Sequence, residues 1–222
     1  MKKRKYIEDS LFYRLFNFLY AGVKLNIYFS MLNLILFLLC MFSSLRTDTF
    51  FIFFLSFVTV GPSLLALLKT FADGKYESMT FLEFFQLFKK YFLKGIVYSF
   101  LIGFLVLWFV SFLSFLLYQS YALLFLPLFV TFGVSALATI VLAMQILVEN
   151  EQISMRQLFH ISFQLSWKKL FISYFIAILI TALIFVMYYR VIYGFLILFS
   201  LIFYYVFKIN ERMYLVSEEN KK

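Results

Sequence analysis

The chain has 222 residues, a formal net charge of +9, and a composition that is 64% hydrophobic, 23% aromatic and only 14% charged. A soluble domain carries about 25% charged residues, so the composition points away from an ordinary soluble domain and toward lipid as the solvent. A single cysteine, Cys40, excludes an intrachain disulfide framework and a cysteine-based metal site.

Runs without charge occur at 25–45, 49–68, 95–148, 170–189 and 191–207. A helix needs about 20 apolar residues to cross the hydrocarbon core. The run 95–148 is too long for one crossing and divides at Tyr118-Gln119-Ser120. The expected fold is therefore an all-α polytopic membrane protein. It forms a single membrane domain over 1–222 with six transmembrane helices, at about 25–45, 50–69, 96–117, 121–148, 170–188 and 191–207. Residues 210–222 read as a polar cytoplasmic tail.

The basic residues set the orientation. With the N-terminus inside, eighteen of the 20 Lys and Arg fall on inner segments. They are Lys2, Lys3, Arg4, Lys5, Arg14 and Lys24; Lys69, Lys75, Lys89, Lys90 and Lys94; Arg156, Lys168 and Lys169; and Lys208, Arg212, Lys221 and Lys222. Only Arg46 and Arg190 lie outside, a positive-inside pattern that puts both termini in the cytoplasm. The positive charge is thus matched to the lipid bilayer and its anionic lipids rather than to nucleic acid. The long apolar run follows Lys2–Lys5 by some twenty residues and has no small-residue cleavage site, which argues against a cleaved signal.

In chain order, Ser10–Tyr20 reads as a short amphipathic lead-in to the first span. Asn26, Ser30 and Asn33 then form a polar stripe in that span. Such a stripe either hydrogen-bonds between helices or lines a polar cavity. Gly61-Pro62 interrupts the second span, as a structural kink or a hinge. From Thr80 to Lys94, Phe81, Phe84, Phe85, Phe88, Tyr91 and Phe92 share one helical face, while Glu83, Gln86, Lys90 and Lys94 share the other. That pattern suits an interfacial helix before span three, with Phe84, Phe85, Phe88, Lys89 and Lys90 as a candidate partner-binding face. In span four, Thr131, Ser135 and Thr139 share one face among small residues, the pattern of a packing helix. Gln157, His160, Gln164 and Lys168 form the polar stripe of a third amphipathic segment, before span five.

The three lead-in segments overlay as amphipathic helix, basic boundary (Lys24, Lys94, Lys169) and span, which predicts a threefold parallel repeat of helix pairs. No phosphate loop, zinc-binding histidine motif or serine nucleophile elbow occurs. No ionisable residue falls at the middle of a predicted span, where coupled pumps place theirs. The expectation is a non-enzymatic protein without catalytic, metal-binding or cofactor-binding residues.

Thr59-Val60-Gly61-Pro62-Ser63 with Ala66, followed by Phe84-Phe85-x-x-Phe88-Lys89-Lys90-x-Phe92, resembles the YesL-like family of bacterial integral membrane proteins, which carries domain of unknown function 624. The likeness runs from Asn17 to about Met213. Lys90 and Tyr91 depart from the asparagine often found there in the family. The resemblance implies a Gram-positive cytoplasmic membrane and a link to carbohydrate uptake, and it carries over no catalytic residue. Two functions stand open: an accessory protein that binds a partner such as a membrane transporter complex, and a small-solute transporter or substrate-binding membrane subunit.

Overall fold

The computed structural model describes residues 11–43, 50–118 and 124–219. All regular structure among them is helical: α1 (Leu11–Leu32), α2 (Leu34–Phe42), α3 (Phe50–Phe57), α4 (Val60–Ala72), α5 (Phe81–Lys90), α6 (Phe92–Tyr118), α7 (Leu126–Glu149), α8 (Met155–Lys168), α9 (Leu170–Tyr189), the short α10 (Val191–Tyr193), a π-helical turn (Gly194–Leu198) and α11 (Phe199–Glu219). Five stretches are long and apolar enough to cross a membrane: Phe51–Ala72, Phe92–Phe109, Leu126–Glu149, Leu170–Met187 and Val191–Arg212. A bent pair, Leu15–Leu32 with Leu34–Phe42, makes a sixth if it is one span. The expected Arg46 loop and the Gln119-Ser120 turn lie outside the described residues.

Three expectations need correction. The lead-in at Ser10–Tyr20 is not a separate short helix: from Leu11 it is continuous with α1 through Leu32. Ala21-Gly22 carries no proline, and its small side chains let α1 pass close to α11, where Ser200 Oγ donates to Gly22 O at 2.7 Å. The first expected span, 25–45, is not one straight helix, because the chain turns by 88° at Asn33. Asn33 Nδ2 donates to Phe29 O at 2.8 Å, a local bond that competes with helix continuation. The segment from residue 210 does not start as a free polar tail. Asn210 is fully buried, Lys208 pairs with Glu211 at 2.7 Å, and α11 runs to Glu219.

The break in the second span falls at Val58-Thr59, just before Gly61-Pro62. Pro62 therefore occupies the first turn of α4, where a missing N–H leaves no helical bond unmade. The core is built around α4 and α7. Val60–Leu68 and Ala138–Val148 are buried on every side, as expected for helices that are apolar all round. Lys69 joins their ends, with its Nζ 3.2 Å from Val148 O and 3.0 Å from Asp73. A cation at the carbonyl end of a helix is favourably placed.

Two capped helices pack onto this pair. Thr80 and Glu83 form a reciprocal capping box at the start of α5. Hydrogen bonds from the Thr80 N–H and hydroxyl hold the Glu83 carboxyl below its ordinary range. Ser154 caps α8 by accepting from Gln157 N. The α8 helix lies against α7, with the Thr139 and Ser166 hydroxyls 2.7 Å apart and the Phe132 and Trp167 rings 5.8 Å apart.

Candidate functional site

The polar stripe of α1 meets protein rather than open space: Asn26, Ser30 and Asn33 are 0%, 6% and 2% exposed. Asn26 Nδ2 donates to Ile197 O at 2.8 Å, and its Oδ1 accepts from Ser200 N at 2.6 Å. Both backbone groups belong to the π-turn and the start of α11, where the helical ladder shifts register and leaves such groups without their usual partners. Ser30 Oγ has no partner among the described residues.

Asn33 serves a different purpose. Besides bonding Phe29 O, its Nδ2 donates to Ser63 Oγ at 2.9 Å, and its Oδ1 accepts from Thr59 Oγ1 at 2.8 Å. The 88° bend after α1 and the break between α3 and α4 are therefore joined by one side chain. Ser63 Oγ in turn donates to Thr59 O at 2.8 Å. On the other side of the break, Ser99 of α6 bridges the groups that the ladder abandons: its Oγ donates to Val58 O and accepts from Gly61 N, both at 2.8 Å. Val58 O lies in the break, outside both α3 and α4, and Ser99 supplies the donor it needs. The candidate hinge Gly61-Pro62 and the candidate stripe residue Asn33 thus come together in a neutral amide and hydroxyl junction. That junction can exchange hydrogen bonds and fix helix angles. It holds no group that titrates near neutral pH.

The aromatic members of the candidate interface helix lie elsewhere than expected. Phe84 is fully buried and Phe88 is 9% exposed, both in the core against α4, and Phe85 is half-buried. Phe84 and Phe88 cannot join a partner-binding face because the protein's own core covers them, while Phe85 keeps part of its surface outward. Lys89 and Lys90 remain exposed. Lys90 Nζ lies 2.7 Å from Glu151 Oε1, and Tyr91 OH donates to the same oxygen at 2.5 Å. Lys94 Nζ reaches Glu151 O at 3.3 Å. Glu151 thereby clasps the α5–α6 junction to the α7–α8 loop. His160 stays on the exposed face of α8, 2.9 Å from Gln164.

The clasp gives a pH prediction. Hydrogen bonds from Lys90 and Tyr91 hold the Glu151 carboxyl below its ordinary range. Burial, then the bond to Glu151, pushes the Tyr91 phenol up and keeps it a donor. A carboxyl depressed in the folded state stabilises above its unfolded pKa, about 4.3, and loses that contribution as pH falls through the lower folded value. A pair this exposed is worth up to about 1 kcal/mol. Glu151→Gln is expected to melt below the parent at pH 7, with the two melting temperatures converging on acidification through pH 4. A constant gap across that range would refute the assignment.

A groove of about 430 Å³ lies between α6, α7 and α8. Its walls include Leu105, Trp108, Phe132, Phe163 and Trp167, with Ser135 at its lining. The sequence held a signal for Ser135 beyond the Thr131–Ser135–Thr139 face. Thr59-x-Gly61-x-Ser63-x-x-Ala66 recurs as Thr131-x-Gly133-x-Ser135-x-x-Ala138. Among the described residues no group of three or more His, Cys, Asp or Glu is placed to hold a metal ion. Comparisons with protein-family models, curated proteins and solved structures find no match to this chain.

Proposed function

We propose that this chain is a non-enzymatic accessory protein of the bacterial cytoplasmic membrane. It crosses the membrane six times with both termini inside, and it engages a membrane partner through its cytoplasmic helices. The observation that carries this reading is the clasp at Glu151, which unites α5, α6 and the α7–α8 loop into one surface. That surface presents Lys89, Lys94, Arg156, Gln157, His160, Gln164 and Lys168 as exposed side chains, while Phe84 and Phe88 of α5 are buried inward. A cationic and amide-rich face suits anionic lipid headgroups and the polar rim of a partner. The resemblance to YesL-like proteins supports the same reading and would link the partner to carbohydrate uptake. The threefold parallel repeat belongs to this proposal too, supported by the matching caps at Thr80 and Ser154 ahead of α6 and α9.

The test is purification in mild detergent at native expression level, with mass spectrometry of co-purifying proteins and small molecules. A stoichiometric permease or ATPase lost on combined Lys89→Glu and Gln164→Glu substitution is the expected result. One observation favours the second reading, a solute transporter: broken helices meet at Asn33, Thr59 and Ser63, and transporters bind substrate where spans are discontinuous. A protein that emerges alone with a defined solute, released by Asn33→Leu, would replace the first reading with the second.

A further inference from the structure

We infer that the groove between α6, α7 and α8 is a binding site for one acyl chain of a membrane phospholipid, with the lipid's ester carbonyl held by Trp167 Nε1 and Ser135 Oγ. Four observations converge on this. The groove has a volume of about 430 Å³, within the range of about 300–1,000 Å³ typical of small-molecule sites. It is cut into α6 and α7, two of the stretches apolar enough to cross a membrane, so lipid is the solvent that meets it. Phe104, Phe132 and Phe163 along it are 70%, 48% and 51% exposed, so it opens outward.

The second observation is chemical. Ser135 is 2% exposed and lines the groove, yet its hydroxyl has no partner among the described residues. Trp167 lines the same groove, and its indole N–H also lacks one. A buried donor without a partner in an apolar setting costs about 1–3 kcal/mol. An ester carbonyl accepts from both, and phospholipids carry that acceptor at the head of each acyl chain.

The third observation is internal to the protein. In the first Thr-x-Gly-x-Ser-x-x-Ala copy, the serine hydroxyl of Ser63 receives Asn33 Nδ2 from the chain's own α1–α2 bend. In the second copy Thr139 Oγ1 bonds the Ser135 carbonyl, but no group among the described residues bonds the Ser135 hydroxyl, and the groove stands there instead. The ligand's polar end would occupy the position that Asn33 fills in the first copy. The fourth is charge. Lys168 and Lys169 close the C-terminal end of α8 just after Trp167, and Lys168 is exposed, so the end of the helix that carries the indole is cationic and suits an anionic phosphate at that level. Indole and lysine side chains together favour the headgroup side of a lipid.

The experiment uses the full chain, purified in mild detergent and exchanged into nanodiscs of phosphatidylglycerol or phosphatidylcholine, with retained lipid counted by native mass spectrometry after detergent washing. The parent is expected to keep about one phospholipid per chain and to favour phosphatidylglycerol. Ala136→Phe fills the groove and should reduce retention about tenfold or more, a change of about 1.4 kcal/mol. Trp167→Phe should weaken retention while keeping the aromatic wall, and Lys168→Gln should abolish the headgroup preference without emptying the groove. Ile184→Phe, at a residue 55% exposed on α9, controls for added bulk, and helical circular dichroism checks folding. If Ala136→Phe misfolds, Ser135→Ala with Trp167→Phe replaces it. Equal retention by the parent and a folded groove variant overturns the proposal. So does photo-crosslinking from position 104 that captures a second copy or another protein in place of lipid.

Discussion

Gly61→Ala and Gly95→Ala are each expected to destabilise the fold by about 3 kcal/mol, the upper part of the range for overpacking. The reason is a backbone contact between α4 and α6. A Cβ on Gly61 would stand 2.0 Å from Gly95 O and 2.8 Å from Ser99 N, and a Cβ on Gly95 would stand 2.4 Å from Pro62 Cα. No flexible side chain can move aside, so the helices would have to separate. Separation would also break the Ser99 bridge, exposing Val58 O and Gly61 N to lipid without partners. Gly103→Ala is the control, because its nearest neighbour would be 3.9 Å away. Replacing glycine with alanine in an open helical position is neutral or stabilising by up to about 1 kcal/mol. Thermal or dodecyl-sulfate unfolding in detergent measures all three. Equal stability of Gly61→Ala and Gly103→Ala would show that the close crossing does not hold the fold.

Asn33→Leu is the second large effect. It removes three hydrogen bonds, to Phe29 O, Ser63 Oγ and Thr59 Oγ1. Two of these, to Ser63 and Thr59, run between helices, and at about 0.6–2 kcal/mol per interhelical bond the expected loss is about 1–4 kcal/mol. A double-mutant cycle with Thr59→Val should show coupling, because the two side chains share one bond. Asn26→Leu should destabilise independently, since Asn26 bonds Ile197 and Ser200 and shares no partner with Asn33. Additive losses for Asn33→Leu and Thr59→Val would refute the junction. A strongly non-additive pair at 26 and 33 would show instead that the stripe acts as one unit.

These two sites show how far sequence reasoning reached. The kind of residue was legible: glycine and proline mark a break, and amides in an apolar helix must find hydrogen bonds. Their partners were not. Gly95 and Ser99 stand 34 and 38 residues beyond Gly61, on a helix whose own pattern names no contact. Nothing local says that Asn26 should seek a π-turn near the other end of the chain. The aromatic positions of α5 were legible in the sequence, but what covers Phe84 and Phe88 was not. An apolar stripe looks the same whether lipid, a partner or the chain's own α4 lies against it. The capping signals at Thr80–Glu83 and Ser154–Gln157 were present in the sequence and mark helix starts by local chemistry alone.

What the sequence determined by itself is the helical class and the presence of stretches long and apolar enough to cross a membrane, because both follow from local quantities. Long uncharged runs force internal backbone bonding in lipid, and that demand selects helices wherever they lie in the chain. The tertiary structure alone decided where polar groups are spent. Asn33 is used at a bend, Glu151 in a clasp and Ser99 at a break, while Ser135 is left facing a groove. Those outcomes depend on which helices cross and at what depth. Crossing is set by small residues and side-chain shapes on pairs of helices far apart in sequence, and that information does not exist in any single stretch of the chain.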